Sequence, residues 1–151
     1  ILSRSVLQAG ESVTLNDMDE IILFQDDEPY LFIDAQRAVW ERKPDILYLH
    51  DAVVRDEDET FYLESDLLIW AGSEETLASP ESVFIRWQGL EIDAAEMLLK
   101  AQENLLYLKD DVRIRDGSML WRVESAVYDL DQERMEFFGS LVLEEEVGES
   151  E

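Results

Sequence analysis

The chain has 151 residues and a net charge of −25, from 37 Asp and Glu against 12 Lys and Arg, and 46% of its residues are apolar. That length suits one domain with a sizeable core, and the charge excludes nucleic acid as a partner, because binding it requires cations that neutralise phosphates. The absence of cysteine excludes disulfides and thiolate metal sites, and there is no run of about 18 apolar residues that would span a bilayer.

Residues 1–19 read as a lead-in, with a short helix near residues 5–12 compatible with the sequence. The chain opens on Ile1, so a membrane anchor or signal is expected ahead of it. "IILF" at 21–24 reads as an unpaired strand, half of a unit, followed by the acidic turn "QDDEPY". The first full unit places Leu31, Ile33 and Ala35, then Leu47, Leu49 and Val53, at spacing two, which puts them on one face of a strand. "ERKPD" at 41–45 divides its two strands and "DEDE" at 56–59 closes it. The second unit turns at "AGSEE" (71–75) and closes at "WQG" (87–89).

The third unit carries Leu90, Ile92 and Ala94, then Leu106, Leu108, Val112 and Ile114, and closes at "RDGS" (115–118). Its residues 93–103, "DAAEMLLKAQE", have helical propensity. They occupy the register of "DAQRAVWERKP", however, so strand is expected there, tertiary context overriding propensity. The fourth unit ends at residue 143, and the acidic "EEEVGESE" at 144–151 is expected to be loosely held. Nine or ten strands result, in a domain bounded at residues 20–143.

The units are copies of one another. "LYLHDAVV" at 47–54 returns as "LYLKDDVR" at 106–113, with five of eight positions identical, and weaker copies stand at 77–84 and 135–142. At steps of 30, 29 and 29 the columns read Leu47, Leu77, Leu106, Met135, then Leu49, Ser79, Leu108, Phe137. A third reads Asp51, Glu81, Asp110, Gly139, and a fourth Val53, Val83, Val112, Leu141. The first halves align as Ile33, Leu63, Ile92, Trp121 and as Trp40, Trp70, Leu99, Tyr128. A fixed period of 29–30 residues marks an internal repeat. Each unit is a long β-hairpin with one apolar face, which must be buried against its neighbours. Either the apolar columns meet in a sealed core, or they leave a groove for a ligand.

Reactive chemistry is scarce. His50, the one histidine, is replaced by Pro80, Lys109 and Phe138 in the other units and reads as a strand residue beside Asp51. It lacks the setting of a Ser-His-Asp triad. "DEDE" lacks the spacing of a calcium loop and reads as a solvated turn. The column Asp51, Glu81, Asp110, Gly139 is expected to mark a bend or bulge. Trp40, Trp70 and Tyr128 share a column that caps the groove or, by default, fills the core. No enzyme, metal or cofactor is expected.

In register, the units follow the pattern small-x-x-Ala-x-Tyr-Asp, a turn, then Leu-x-Leu-x-Gly-x-Val. The fourth gives it as "VESAVYD" (123–129) and "MEFFGSLV" (135–142), the first as "AQRAVWE" (35–41) and "LYLHDAVV". This resembles the OstA-like repeat of the periplasmic lipopolysaccharide-export family over about residues 20–143. The layout, with "IILFQDDEPYLFIDA" at 21–35, is most similar to its bitopic, inner-membrane-anchored (LptC-like) component. The pattern's glycine is acidic in three of the four units.

The resemblance implies an all-β jellyroll, folded like a taco of tandem hairpins and open at its ends. It also implies a non-enzymatic periplasmic module that binds lipopolysaccharide through its lipid A acyl chains. On that reading the groove is lined by Ile33, Leu49, Leu63, Val83, Ile92, Leu108, Val112, Trp121, Phe137 and Leu141. Other bridge proteins would join through edge strands, and the inner-membrane ABC transporter complex would drive transport. The rivals are a structural β-repeat scaffold with a sealed core and, from the acidic turns, a calcium-dependent adhesin-like module.

Overall fold

The computed structural model describes residues 8–9, 12–25 and 27–145. Twelve strands form one antiparallel sheet: β1 (Gln8–Ala9), β2 (Ser12–Gln25), β3 (Glu28–Glu41), β4 (Ile46–Arg55), β5 (Phe61–Ala71), β6 (Thr76–Ser79), β7 (Val83–Trp87), β8 (Leu90–Ala94), β9 (Glu96–Lys100), β10 (Leu105–Asp116), β11 (Met119–Asp129) and β12 (Arg134–Glu145). β6 with β7, and β8 with β9, are single long strands interrupted in the middle. β6 and β7 pair with opposite ends of β5, and β8 and β9 with opposite ends of β10. Nine long strands plus the stub β1 therefore form a plain meander. Residues 93–103 contribute to β8 and β9 as the repeat requires, not to a helix.

An interruption marks nearly every long strand near its middle. The ladder shifts between Lys109 and Val112, between Val123 and Ser125, and between Met18 and Ile21. The breaks at 80–82 and at Ala95 fall on the same line. The column read as a bulge lies here: Asp51 (φ 53°), Asp110 (φ 69°) and Gly139 (φ 91°) are left-handed, and Glu81 falls in the gap between β6 and β7. An extra residue in one strand breaks the pairing and bends it. Bends in line across a sheet crease it, so its two halves become leaves with their apolar faces opposed.

Hairpin turns form two rows at the outer margins of the leaves. In one row the last turn residues are Asp45, Glu75, Asn104 and Glu133, one per repeat, all left-handed at φ 54–58°. Successive turns in this row are joined through the backbone: Gly72 N–H donates to the Asp45 carbonyl (2.9 Å), Ala101 N–H to Glu75 (3.0 Å) and Leu130 N–H to Asn104 (2.9 Å). The other row holds the turns at 56–60, 88–89 and 117–118. There Asp56 accepts from the backbone N–H of Thr60 (2.8 Å) and Phe61 (3.2 Å) and from the Thr60 hydroxyl (2.6 Å).

Several expectations are corrected. The stretch 21–24 is the end of a 14-residue strand paired along its length with β3, and at Ser12 and Val13 with β1. Paired structure thus reaches back into the expected lead-in, whose residues 1–7 and 10–11 lie outside the described residues. Gln8–Ala9 and Ser12 are extended, not helical. β12 takes in Glu144 and Glu145 of the acidic tail, and the rest of that tail lies outside the described residues. Val53 does not share the inward face: the bulge at Asp51 reverses the alternation, so Ala52 and Val54 are buried and Val53 is half-buried outside them.

A left-handed residue other than glycine costs about 1–2 kcal/mol, and glycine in its place returns about 0.5–1 kcal/mol of that as lost chain entropy. Glu75→Gly is therefore expected to stabilise the protein by roughly 0.5–1 kcal/mol. Asn104→Gly is expected to lose stability instead, because asparagine already tolerates this conformation and its side chain accepts from Tyr30 and donates to Asp131. Urea unfolding of the two variants measures both, and a loss of stability in Glu75→Gly would contradict the assignment.

Candidate functional site

The space between the leaves is built from alternating residues of the strands, from Ile21 on β2 to Phe137 on β12. Ile33, Leu49, Leu63, Ile92, Leu108 and Val112 are 0% exposed and Val83 is 3% exposed, all within one continuous cluster. Trp121 and Phe137 are half-buried against it, their rings stacked at 5.2 Å. Leu141 stands apart at 45% exposure. Seven of the ten residues expected to line a groove therefore meet in a filled interior, two lie at its margin, and one faces solvent on β12. Asp34 is half-exposed, and Glu64, Asp93 and Arg122 are exposed, as the two-residue alternation requires.

Almost nothing polar enters this space. Among the described residues the buried polar side chains are Ser65 and Ser79, whose hydroxyls share a hydrogen bond of 2.8 Å beside the crease. Ser79 donates to the Glu81 carbonyl (2.7 Å), which leaves the Ser65 proton for the Ser79 oxygen, and Ser65 Oγ accepts from the Leu67 N–H (3.3 Å), so both buried hydroxyls are satisfied. Tyr128 is the other buried side chain with a polar atom. His50 is half-buried on β4 opposite Arg37 and Leu67. No group of three or more potential metal ligands converges among the described residues.

The leaves touch again at their margins, where the two rows of turns meet. Trp87 Nε1 donates to the Tyr128 hydroxyl (2.8 Å), with the rings edge to face at 6.3 Å. The Tyr30 hydroxyl donates to Asn104 Oδ1 (3.3 Å), and Asn104 Nδ2 donates to Asp131 (2.9 Å). Gln88 Nε2 donates to Glu133 (3.3 Å). Beneath these contacts lies a cavity of about 150 Å³ lined by Tyr30, Leu31, Phe61, Trp87, Leu99 and Leu130, with Asp56 and Asn104 at its rim. Burial, then the charge of Asp131, pushes the Tyr30 hydroxyl from 10.0 up to about 12. Tyr128 is also pushed up by burial, against the lowering effect of the Trp87 hydrogen bond.

This margin was missed in the sequence. "WQG" at 87–89 reads only as a turn, and Tyr128 as core filling or a cap on the groove, with nothing to say that the two residues meet. A tryptophan flanking a tight turn was the available signal, but its partner across the fold follows from no periodicity. Trp40 and Trp70, in the column of Tyr128, stay half-buried at the edge of the core, and Trp40 Nε1 donates to Asp45 (3.0 Å).

No protein-family model matches the chain, and no curated protein matches it. Among solved structures it is similar to LptH, the LptA-homologous periplasmic component of the conserved lipopolysaccharide transport device from Pseudomonas aeruginosa. The TM-score is 0.65 at 12% identity, covering 76% of this chain and 93% of that one. At that identity the likeness establishes the fold: an all-β jellyroll, not closed into a barrel.

Leu108→Ala is expected to cost roughly 2–5 kcal/mol, whereas Leu141→Ala stays within about 0.5 kcal/mol. Denaturant midpoints decide, and equal losses would mean that Leu141 is buried by something. Because the folded Tyr30 pKa lies above its unfolded value, the neutral hydroxyl's contribution is complete below pH 10 and is lost as pH rises through 12. Stability should fall across that window, and less steeply in Tyr30→Phe. Identical slopes would show that Tyr30 ionises normally.

Proposed function

We propose that the protein is a non-enzymatic lipopolysaccharide-transport module of the periplasm, whose interior receives lipid A acyl chains. The observation that carries this reading is the interior itself: two opposed aliphatic faces running across four repeats, in the fold also found in LptH. Each methylene withdrawn from water is worth about 0.8 kcal/mol, so a chain of roughly a dozen supplies about 10 kcal/mol before the cost of parting the leaves. Passing the chain to a neighbour with a similar interior costs little, since apolar surface is exchanged for like.

The ends of the sheet support assembly with such neighbours. Among the described residues β12 pairs with β11 and with no other strand, leaving an edge. Beside it Leu141 and Leu143 continue the inner face at 45% and 50% exposure, and Phe138 and Val142 are exposed on the other. A strand added there would pair with this backbone and cover these side chains. Bridge proteins of the same export system are the partners this reading implies, the inner-membrane ABC transporter complex its source of energy, and an N-terminal anchor its attachment.

A structural scaffold is the second reading, favoured by the filled interior: among the described residues eleven large side chains, Leu49, Leu63 and Leu108 included, are less than 2% exposed. The two readings separate on photo-crosslinking. With a photoreactive residue at Ile92 or Leu108, lipopolysaccharide is expected to be captured, and at Asp93 or Arg122, on the outer face, it is not. A folded Leu108→Arg variant should lose binding by at least tenfold, because a guanidinium among acyl chains has no partner. Capture at neither inner position, in folded protein, would leave the scaffold.

A further inference from the structure

We propose that acyl chains enter through the seam where the two rows of turns meet, that Trp87–Tyr128, Tyr30–Asn104 and Gln88–Glu133 latch it shut, and that the cavity beneath receives the end of a chain. The inference rests on the transport reading and specifies the route into its site.

The seam is the side of the fold on which the least has to break. At the crease the covalent chain itself passes from one leaf to the other along every long strand, so opening there would sever it. Within each leaf, parting strands would break ladder hydrogen bonds. Between the two rows of turns no backbone hydrogen bond crosses among the described residues, and the leaves are held by side chains. One margin is also built to move as a unit, since its turns are tied through Gly72, Ala101 and Leu130. The crease, with its left-handed bulges and interrupted strands, is the hinge such motion requires.

The occupant follows from the cavity's size and charge. The pocket is half open to solvent, mostly apolar in its lining, and at about 150 Å³ large enough for the end of a small hydrocarbon. Here Leu31, Phe61, Leu99 and Leu130 provide that lining, while Asp56 stands at the rim and Asp131 beside Asn104. Those carboxylates repel a phosphate and admit the uncharged end of an alkyl chain. The remainder of the interior is occupied by its own side chains, so a chain seated in the cavity advances as the leaves part.

The absence of cysteine permits a direct test. Gln88 and Glu133 are exposed, so Gln88→Cys with Glu133→Cys can be bridged by dibromobimane across the seam without disturbing the core. A control pair, Arg86→Cys with Glu91→Cys, bridges β7 to β8 within one leaf. Both are made in protein carrying the photoreactive residue at Leu108 and mixed with lipopolysaccharide. Bridging the seam is expected to reduce capture at least tenfold and bridging the control to leave it unchanged. Tyr128→Phe, which keeps the ring and loses the hydrogen bond, should speed capture severalfold. Equal capture with the seam bridged and unbridged overturns the seam and leaves the transport reading standing, and equal loss in the control overturns it too. No capture in any unbridged protein overturns both.

Discussion

A β-sheet with one continuous apolar face cannot lie open in water, and the described residues include no helix or second sheet to cover it. The strands supply alternating apolar residues, and the buried face runs from Ile21 on β2 to Tyr128 on β11. With nothing else available, the sheet must cover itself. The crease that permits this depends on a line of left-handed residues and breaks, at Asp51, 80–82, Ala95, Asp110 and Gly139. Glycine enters this conformation without strain, but here most of the line is acidic, and aspartate is among the residues that tolerate it. Gly139 has less freedom to vary, since a Cβ there would collide with the side chain of Glu124.

Folding a sheet on itself leaves unequal margins. At the seam Tyr30, near the start of β3, reaches the turn before β10, while Trp87 reaches β11, so the leaves cross rather than stack strand on strand. Twisted sheets packed face to face cross in this way. The final strands then carry inner-face residues beyond the overlap, which accounts for Leu141 and Leu143 being exposed although they continue the alternation of buried Val123 and Ile114. The same offset that closes the middle leaves apolar surface exposed at the end of the sheet.

The charge follows a simple division. Among the described residues no acidic or basic side chain is buried, so their carboxylates lie outside, on outward strand positions and turns. Ion pairs such as Arg55–Asp34 (3.3 Å) and Arg122–Glu144 (3.9 Å) are solvent-exposed and worth little individually. Such an exterior opposes compaction by self-repulsion and keeps exposed edges apart in dilute salt. Screening by salt relaxes both effects.

The repeat, its strands and most inward residues were legible in the sequence because strand alternation is local: Leu49, Leu63, Ile92 and Leu108 reveal their burial by spacing alone. The bulge column was legible because Gly139 stands where the other units place an acid. Val53 was misplaced because one extra residue reverses the alternation, and composition does not say which side of the bulge the count resumes on. The extent of β2 was hidden because "VTLNDMDE" at 13–20 interrupts apolar alternation with polar residues, so its pairing with β3 depends on register, not on its own composition. Whether the apolar columns meet, and which residues join across the seam, was decided by tertiary structure alone. Tyr30 and Asn104 are 74 residues apart, and what brings them together is the accumulated twist of two leaves about the crease, a property of the whole sheet.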